Sequence, residues 1–441
     1  MTRTVPFNSA EEDQAVFSKP SSDKIGRYTH RTTCRFCHSE QLAMFLDLGY
    51  VPLAGALLRK DQIPMERFYP LQACFCRTCT LVQVDNAVPR ESLFGEYFFY
   101  SSVMTTLVEH FAQLAAEVHA RFLPLGKSLV VEIGCNDGAL LKPLAARGIR
   151  CVGVDPASNV TRSIRGDRLL IINDFFGERV TKRICEEHGE AAVILSSYSF
   201  AHIDDMDDVM RGIKTLLKRD GVFIVEIHYL PTLLEEMQYD MIYHEHFSYY
   251  SLMALTRFFA RYDMEVFDVK SFPRVRGGTK RFYVRHVGGL DEPISEAVGT
   301  LLERERAQRL DQLETYLGFA ARVHQTKREL LALLERLKAE GKRIIGYGAS
   351  GRATTIMNFC GIDDRYLDYV ADDTPAKQGM YTPGTHLVIK PWAATEESPR
   401  PDYALAFVWS FIDEVVQKRA EYLQRGGRFI VPLPRVKMIP E

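Results

Sequence analysis

Val130-Val131-Glu132-Ile133-Gly134-Cys135-Asn136-Asp137-Gly138 is the stretch on which the fold turns. An apolar, β-branched run ends at a glycine, and ALLKPLAARG (139–148) continues with helical spacing. A strand that breaks at glycine and passes into a helix lets the backbone approach a ligand where a Cβ would block it. The next apolar run, RCVGVD, ends at Asp155, 21 residues after Gly134. An acid there can accept both hydroxyls of an adenosine ribose, in NAD as well as in S-adenosylmethionine. Two features lean to the methyl donor. Glu132 precedes the first glycine, and Asn136 stands where a G-x-G-x-x-G turn would have its second. A sulfonium ligand carries no pyrophosphate and needs no triple-glycine turn. The candidate donor contacts are Glu132, Gly134, Asn136, Asp137, Gly138 and Asp155, with Asp174 and Ser197 further along the same unit.

Outward from this turn, AAVILSS and GVFIVEIHYL are further short strand runs separated by helical stretches, so 127–262 predicts a parallel sheet with helices on both faces. Residues 102–123 have helical periodicity. Residues 266–287 predict two strands around Gly277-Gly278, and 291–340 is a long charged amphipathic stretch. The alternation then restarts with RIIGYGAS, YLDYVADD, THLVI, DYALAFVW and RFIVPLP. The expected class is α/β: a Rossmann-like methyltransferase core, a zinc-binding N-terminal module and a second, C-terminal Rossmann-like domain. The expected boundaries are a flexible leader over 1–27, the zinc module over 28–95, the donor-binding domain over 96–264 and the C-terminal domain over 265–441.

Composition is that of a globular enzyme, 46% hydrophobic and 25% charged, and 55 basic against 57 acidic residues leave a net charge of −2. That balance argues against nucleic acid or anionic membrane as the main partner. No apolar run reaches the ~20 residues that span a bilayer, and the polar N-terminus has no signal-peptide core, so a cytoplasmic location with reduced thiols is expected. The oligomeric state is not readable from the sequence.

Of nine cysteines, Cys34, Cys37, Cys76 and Cys79 form two C-x-x-C knuckles. Each knuckle points two thiolates into one concavity, and two complete a tetrahedral S4 shell for zinc. Four protein ligands leave no open position, which makes the site structural. Cys74 could compete with Cys76, but the C-x-x-C register favours Cys76. Cys151 and Cys360, in apolar contexts, read as core filler.

Tyr243-His244-Glu245-His246-Phe247-Ser248-Tyr249-Tyr250 is the densest cluster of proton-handling groups. A second metal is disfavoured, because a helix would set His244 and His246 roughly 200° apart and no H-E-x-x-H spacing occurs. General acid–base chemistry fits better, since imidazole titrates near neutrality and tyrosine can serve a developing oxyanion. Ser196–Asp205 (SSYSFAHIDD), with His202, follows an apolar strand and so falls at the carboxyl edge of the sheet. Gly346-Tyr347-Gly348-Ala349-Ser350-Gly351 is a formal G-x-G-x-x-G, with Asp372 lying 26 residues after Gly346. Alone it would indicate NAD, and a NAD-dependent sugar-nucleotide oxidoreductase is the enzymatic rival. A non-catalytic zinc-dependent scaffold is the other.

The ordered set CRxC and CxxCxLVQ (Cys34 to Gln83), EIGCNDGALL, FAHIDD, YHEHFSYYS, RGGTKRFYV, GYGASGRATTIMNFCGI and DDTPAKQGMYTPGTH resembles the deoxysugar C-methyltransferase family over residues 30–440. The resemblance implies a zinc-binding N-terminal domain, a central methyl-donor domain and a C-terminal α/β domain, with a nucleoside-diphosphate keto-sugar bound between them. It implies a general base at His246, flanked by Tyr243 and Glu245, with His202 nearby. Tyr97 matches the first tyrosine of a family Tyr-x-Tyr-x-Ser-Ser segment, whose second tyrosine is Phe99 here. It also gives the C-terminal domain the sugar nucleotide, with Tyr347, Ser350, Arg352, Lys377, Trp409 and Phe411 as candidate contacts. This chain departs from the family pattern at Arg276, where histidine is usual, and in GYGASGRA. The expected reaction is removal of a proton beside the ketone of a 4-keto-6-deoxysugar, followed by methylation of that carbon, taken to be C-3.

Overall fold

Short β-branched runs alternate with capped amphipathic helices in the two larger of four sheets, and the smallest is the antiparallel pair Thr29–His30 with Asn86–Ala87. The computed structural model describes residues 20–95, 97, 99–123 and 128–440. Most of the expected leader lies outside the described residues. Its last part is already packed: Ile25 bridges Phe68, and a Cβ on Gly26 would fall on the Tyr69 ring.

The zinc-bearing sheet is an antiparallel meander of β1 (Leu42–Pro52), β2 (Phe68–Cys76) and β3 (Val82–Val84). Its fourth strand, Ser248–Tyr249, comes from the end of the histidine cluster and pairs with Gln83 and Val82 of β3.

The central sheet contains β4 (Leu129–Ile133), β5 (Arg150–Val154), β6 (Leu169–Ile172), β7 (Ala191–Ser197), β8 (Leu217–His228), β9 (Met264–Phe272) and β10 (Thr279–His286). Their order is β6-β5-β4-β7-β8-β10-β9, parallel except for β10. The order reverses between β4 and β7, which opens a crevice at their carboxyl ends. The expected division at 264 falls at the start of β9, and the Gly277-Gly278 hairpin beyond it completes the edge of this sheet.

The C-terminal sheet has β11 (Ile344–Tyr347), β12 (Val370–Ala371), β13 (Ile389–Lys390), β14 (Tyr403–Ala406), β15 (Arg428–Val431) and β16 (Lys437–Ile439), ordered β13-β12-β11-β14-β15-β16 with only β16 antiparallel. The amphipathic stretch 291–340 forms two helices, and the chain breaks between them near Arg309, whose φ is +56°.

Six helices matter for the site: α1 (Thr105–Phe122), α2 (Met206–Leu216), α3 (Leu252–Ala260), α4 (Glu296–Ala307), α5 (Leu313–Ala339) and α6 (Gly351–Cys360). The side chains of Asp205, Ser251 and Ser350 cap α2, α3 and α6 by accepting from backbone N–H groups three residues on. One face of the central sheet packs on α1 through Leu107, Phe111 and Leu114. The other packs on α2 and α3 together with Phe36 and Leu81 from the zinc knuckles. A further core joins β1–β3 to α5, α6 and the C-terminal sheet through Phe45, Phe75, Tyr316, Ile356 and Leu405. No helix among the described residues is long and apolar enough to cross a membrane.

Candidate active site and metal centre

The turn after β4 is built to leave space. Gly134 has φ +71°, and a Cβ there would lie 2.5 Å from that of Ser199. Asn136 has φ +50°, a conformation asparagine tolerates better than most residues. Its backbone N–H donates to Asp155 Oδ2 (2.9 Å), while its side chain clamps the incoming segment by donating to Phe99 O and accepting from Ser101 N–H, both 2.9 Å. Asp155 Oδ1 accepts from Ala157 N–H (2.9 Å). Each carboxylate oxygen keeps a further lone pair for a ribose hydroxyl.

These groups line a cavity of about 440 Å³ together with Val154, Phe175, Phe176 and Ser197. Tyr97, Tyr198, His202, His228, Tyr243, His246 and Arg276 face the same space. Glu132, Asp137, Gly138 and Asp174 do not line it. Burial and the Asp155 charge push the Glu132 carboxyl well up, and Glu132 Oε2 and Asp137 Oδ1 are buried without partners. The second Asp137 oxygen accepts from Ser102 N–H, and Asp174 pairs with Arg179.

The two histidines from separate motifs share one arrangement. His246 Nδ1 lies 2.9 Å from Met241 O, and His202 Nδ1 lies 2.7 Å from Glu245 O. A carbonyl can only accept, so both Nδ1 atoms carry the proton and both Nε2 atoms keep a lone pair. The rings are 5.1 Å apart, with Tyr243 4.1 Å from His246. Burial holds both imidazoles neutral, His202 at about 4 and His246 well below its ordinary value, the latter also disfavoured by His202 and Arg276. Burial lifts Glu245 to about 7, and its carboxylate faces Gly55 of the zinc module rather than the cavity. Burial and Glu245 raise Tyr97 well above the usual phenol range. His244 points away to Pro70 O on β2 (3.2 Å), so the two cluster histidines cannot share a metal.

His228 and Tyr198 face the cavity although neither belongs to a motif that marks it as functional in the sequence. His228 ends the apolar run of β8, and its ring is 5.9 Å from that of His246, with Nδ1 buried and unpartnered. The signal was its place as the last residue of a parallel strand. Arg276 lies over the Phe99 and Tyr198 rings, 5.0 and 4.5 Å from their centroids. No carboxylate among the described residues is recorded in an ion pair with it.

None of the six C-terminal candidates lines the cavity. Lys377 donates to Asp372 Oδ2 (3.1 Å) and Ala349 O (2.9 Å), which occupies the acid a NAD ribose would need. Tyr347 donates to Asp373, and Ser350 caps α6. Arg352 and Trp409 both bond Asp240, and Phe411 ends a short turn beside Trp409. Gly351 packs on Ala54, which further closes the second glycine loop.

Cys34, Cys37, Cys76 and Cys79 bring four sulfurs within 4.8 Å of one another, with Cys34–Cys79 at 3.4 Å and Cys37–Cys76 at 3.6 Å. Tetrahedral zinc with ~2.3 Å bonds sets sulfurs about 3.8 Å apart, so the four residues fit a closed structural zinc site. Among the described residues no other cluster of this kind occurs. Cys74 faces Asp85 instead.

The fold and the donor crevice define an S-adenosylmethionine-dependent methyltransferase with a zinc site. Models of three domain families match in sequence: a zinc binding domain over 34–94, a methyltransferase domain over 107–269 and a C-methyltransferase C-terminal domain over 274–434. The chain is 33% identical to the C-methyltransferase NovU of Streptomyces niveus over 92% of this chain and 96% of that protein. It belongs to this family of C-methyltransferases. Solved structures similar to it include magnesium protoporphyrin IX methyltransferase from Synechocystis with bound S-adenosylhomocysteine (12% identity, 41% of this chain and 83% of that one, TM-score 0.32) and a methyltransferase from Anabaena variabilis (14%, 41% and 95%, TM-score 0.31).

Proposed function

We propose that the chain methylates the carbon beside the ketone, C-3, of a nucleoside-diphospho-4-keto-6-deoxysugar, with His246 as the base. The observation that carries this is a neutral imidazole with a free Nε2 lone pair, facing the same cavity as the donor loop. A ketone acidifies the neighbouring C–H because the electron pair left behind delocalises onto oxygen. His246 Nε2 takes that proton. Tyr97, Tyr243 and His202 supply polar hydrogens or lone pairs around the ring, and Arg276 supplies a positive charge facing the same cavity, where it can stabilise an enolate oxygen. Gly134, Asn136, Asp155 and Ser197 hold the donor, with Phe175 and Phe176 as the apolar wall for its purine. S-Adenosylmethionine, when bound, supplies an electrophilic methyl on a sulfonium. Holding both reactants in one cavity accounts for much of the acceleration.

The test is mass spectrometry after incubation with S-adenosylmethionine and a panel of keto-sugar nucleotides. The expected result is a gain of one methyl, located at C-3 by NMR. Methylation on oxygen, or turnover of a free sugar as fast as of its nucleotide, overturns the substrate assignment.

A further inference from the structure

We infer that Asp240 and Arg352 are positioning residues, through which the C-terminal domain sets the tautomer of the base. The inference rests on His246 acting as that base. Met241 O, which fixes Nδ1–H of His246, belongs to a short turn, Tyr239–Met241, that is gripped from one side by α6. Asp240 has no exposed surface. Arg352 reaches it with both arms of the guanidinium, Nε to Oδ2 at 2.9 Å and Nη2 to Oδ1 at 3.0 Å, and Trp409 Nε1–H adds a third bond at 2.8 Å. Arg352 is itself held by Ser410 Oγ (3.1 Å) and lies 4.7 Å from the Trp409 ring centroid. One turn along α6, Thr355 donates to Ile242 O (3.3 Å), and at its end Cys360 meets the Tyr239 hydroxyl (3.6 Å).

The peptide carrying Met241 O is therefore flanked on both sides by bonds to α6, which immobilise it. This matters because the two tautomers of a neutral imidazole are close in energy in water. The Nδ1–H···O=C bond selects the one whose lone pair is on Nε2. A carbonyl free to swing would release the ring to the other tautomer, which has its lone pair on the wrong nitrogen. A paired guanidinium and carboxylate in a dry setting hold a fixed fork geometry that lysine cannot copy. The same pairing explains why Arg352 and Trp409, although placed at a sheet edge that could bind a nucleotide, direct their polar atoms inward.

The experiment uses the full zinc-loaded chain with 15N-labelled histidine. His246 is assigned by the resonances lost in His246→Asn, and its tautomer is read from the two ring-nitrogen shifts. In the unmodified chain Nδ1 is protonated and Nε2 is not. In Arg352→Met the ring becomes a mixture of tautomers. At the same time kcat falls at least tenfold while the dissociation constant for S-adenosylhomocysteine stays within twofold. Arg352→Lys lies between the two, and Arg352→Met adds little to the loss already caused by His246→Asn. An unchanged tautomer in an Arg352→Met chain that binds S-adenosylhomocysteine normally overturns the inference. So does a further tenfold loss in the double variant. If Arg352→Met does not fold, Thr355→Val loosens the same peptide and is expected to move the tautomer less, in the same direction; no movement there counts against the inference. Should His246→Asn retain turnover, the base assignment fails, yet the tautomer shifts still report whether α6 sets the ring.

Discussion

His246 and His202 show how a single backbone carbonyl fixes the tautomer of a buried histidine. Burial keeps each ring neutral, and the carbonyl on Nδ1 leaves Nε2 free for chemistry. His246→Asn should bind S-adenosylhomocysteine as the parent chain does in calorimetry while losing about 10²–10⁴-fold in turnover, the usual worth of a positioned base. Near-parental turnover would refute the role. The sign of the pH effect follows from the lowered pKa. A base must be neutral, and His246 stays neutral to a lower pH than an ordinary imidazole at about 6.5, so the acid limb of kcat/KM should fall below that value. An acid limb at or above 6.5 would contradict the buried, neutral ring. Gly134 makes a different demand, for space. Gly134→Ala places a methyl 2.5 Å from Ser199 Cβ at φ +71°, so affinity for S-adenosylhomocysteine should drop at least tenfold, read by the same calorimetry.

At the scale of elements, the strands were legible in the sequence because parallel strands buried on both faces read as continuous apolar runs. The zinc ligands were legible because C-x-x-C spacing leaves little freedom. The Gly277-Gly278 hairpin was legible as strands but not as the edge of the central sheet, since β10 pairs with β8 over a distance local pattern does not encode. The role of Arg352 was hidden for a similar reason, since its partner Asp240 lies 112 residues away in sequence. Lys377 is close in sequence to its partner Asp372, but a cation at a sheet edge looks the same whether it faces a phosphate or a carboxylate. The zinc knuckle also works as an element. Phe36 lies flat on Phe258 of α3 at 3.7 Å, and Arg35 bonds Asp204 (2.8 Å), two residues from His202. Phe36→Ala should therefore destabilise the chain by about 3–5 kcal/mol in urea unfolding, as for other buried phenylalanines. A loss under 1 kcal/mol would mean the knuckle is only loosely docked.

On the scale of the whole molecule, three domains in sequence do not make three independent folding units. The zinc-bearing sheet donates residues to two cores, one shared with the central sheet and one with the C-terminal sheet. The histidine cluster runs between them, from the Arg352-held turn to the strand that pairs with β3. Nothing in that arrangement lets the zinc module melt while its neighbours stay folded, because either core would be opened to water along one face. Calorimetric unfolding of the full chain should therefore show one transition rather than three, with equal van't Hoff and calorimetric enthalpies. Chelating the zinc should lower that single transition, not split off a minor one. S-Adenosylhomocysteine at 100 times its dissociation constant should raise the stability of the whole unit by about 2.7 kcal/mol. Hydrogen exchange then tells whether the unit is continuous: α6, which does not line the donor cavity, should gain protection together with β4. Protection confined to the central sheet, or a separate transition for the C-terminal domain, would show that the shared core is too weak to couple the clamp on Asp240 to the donor side of the cavity.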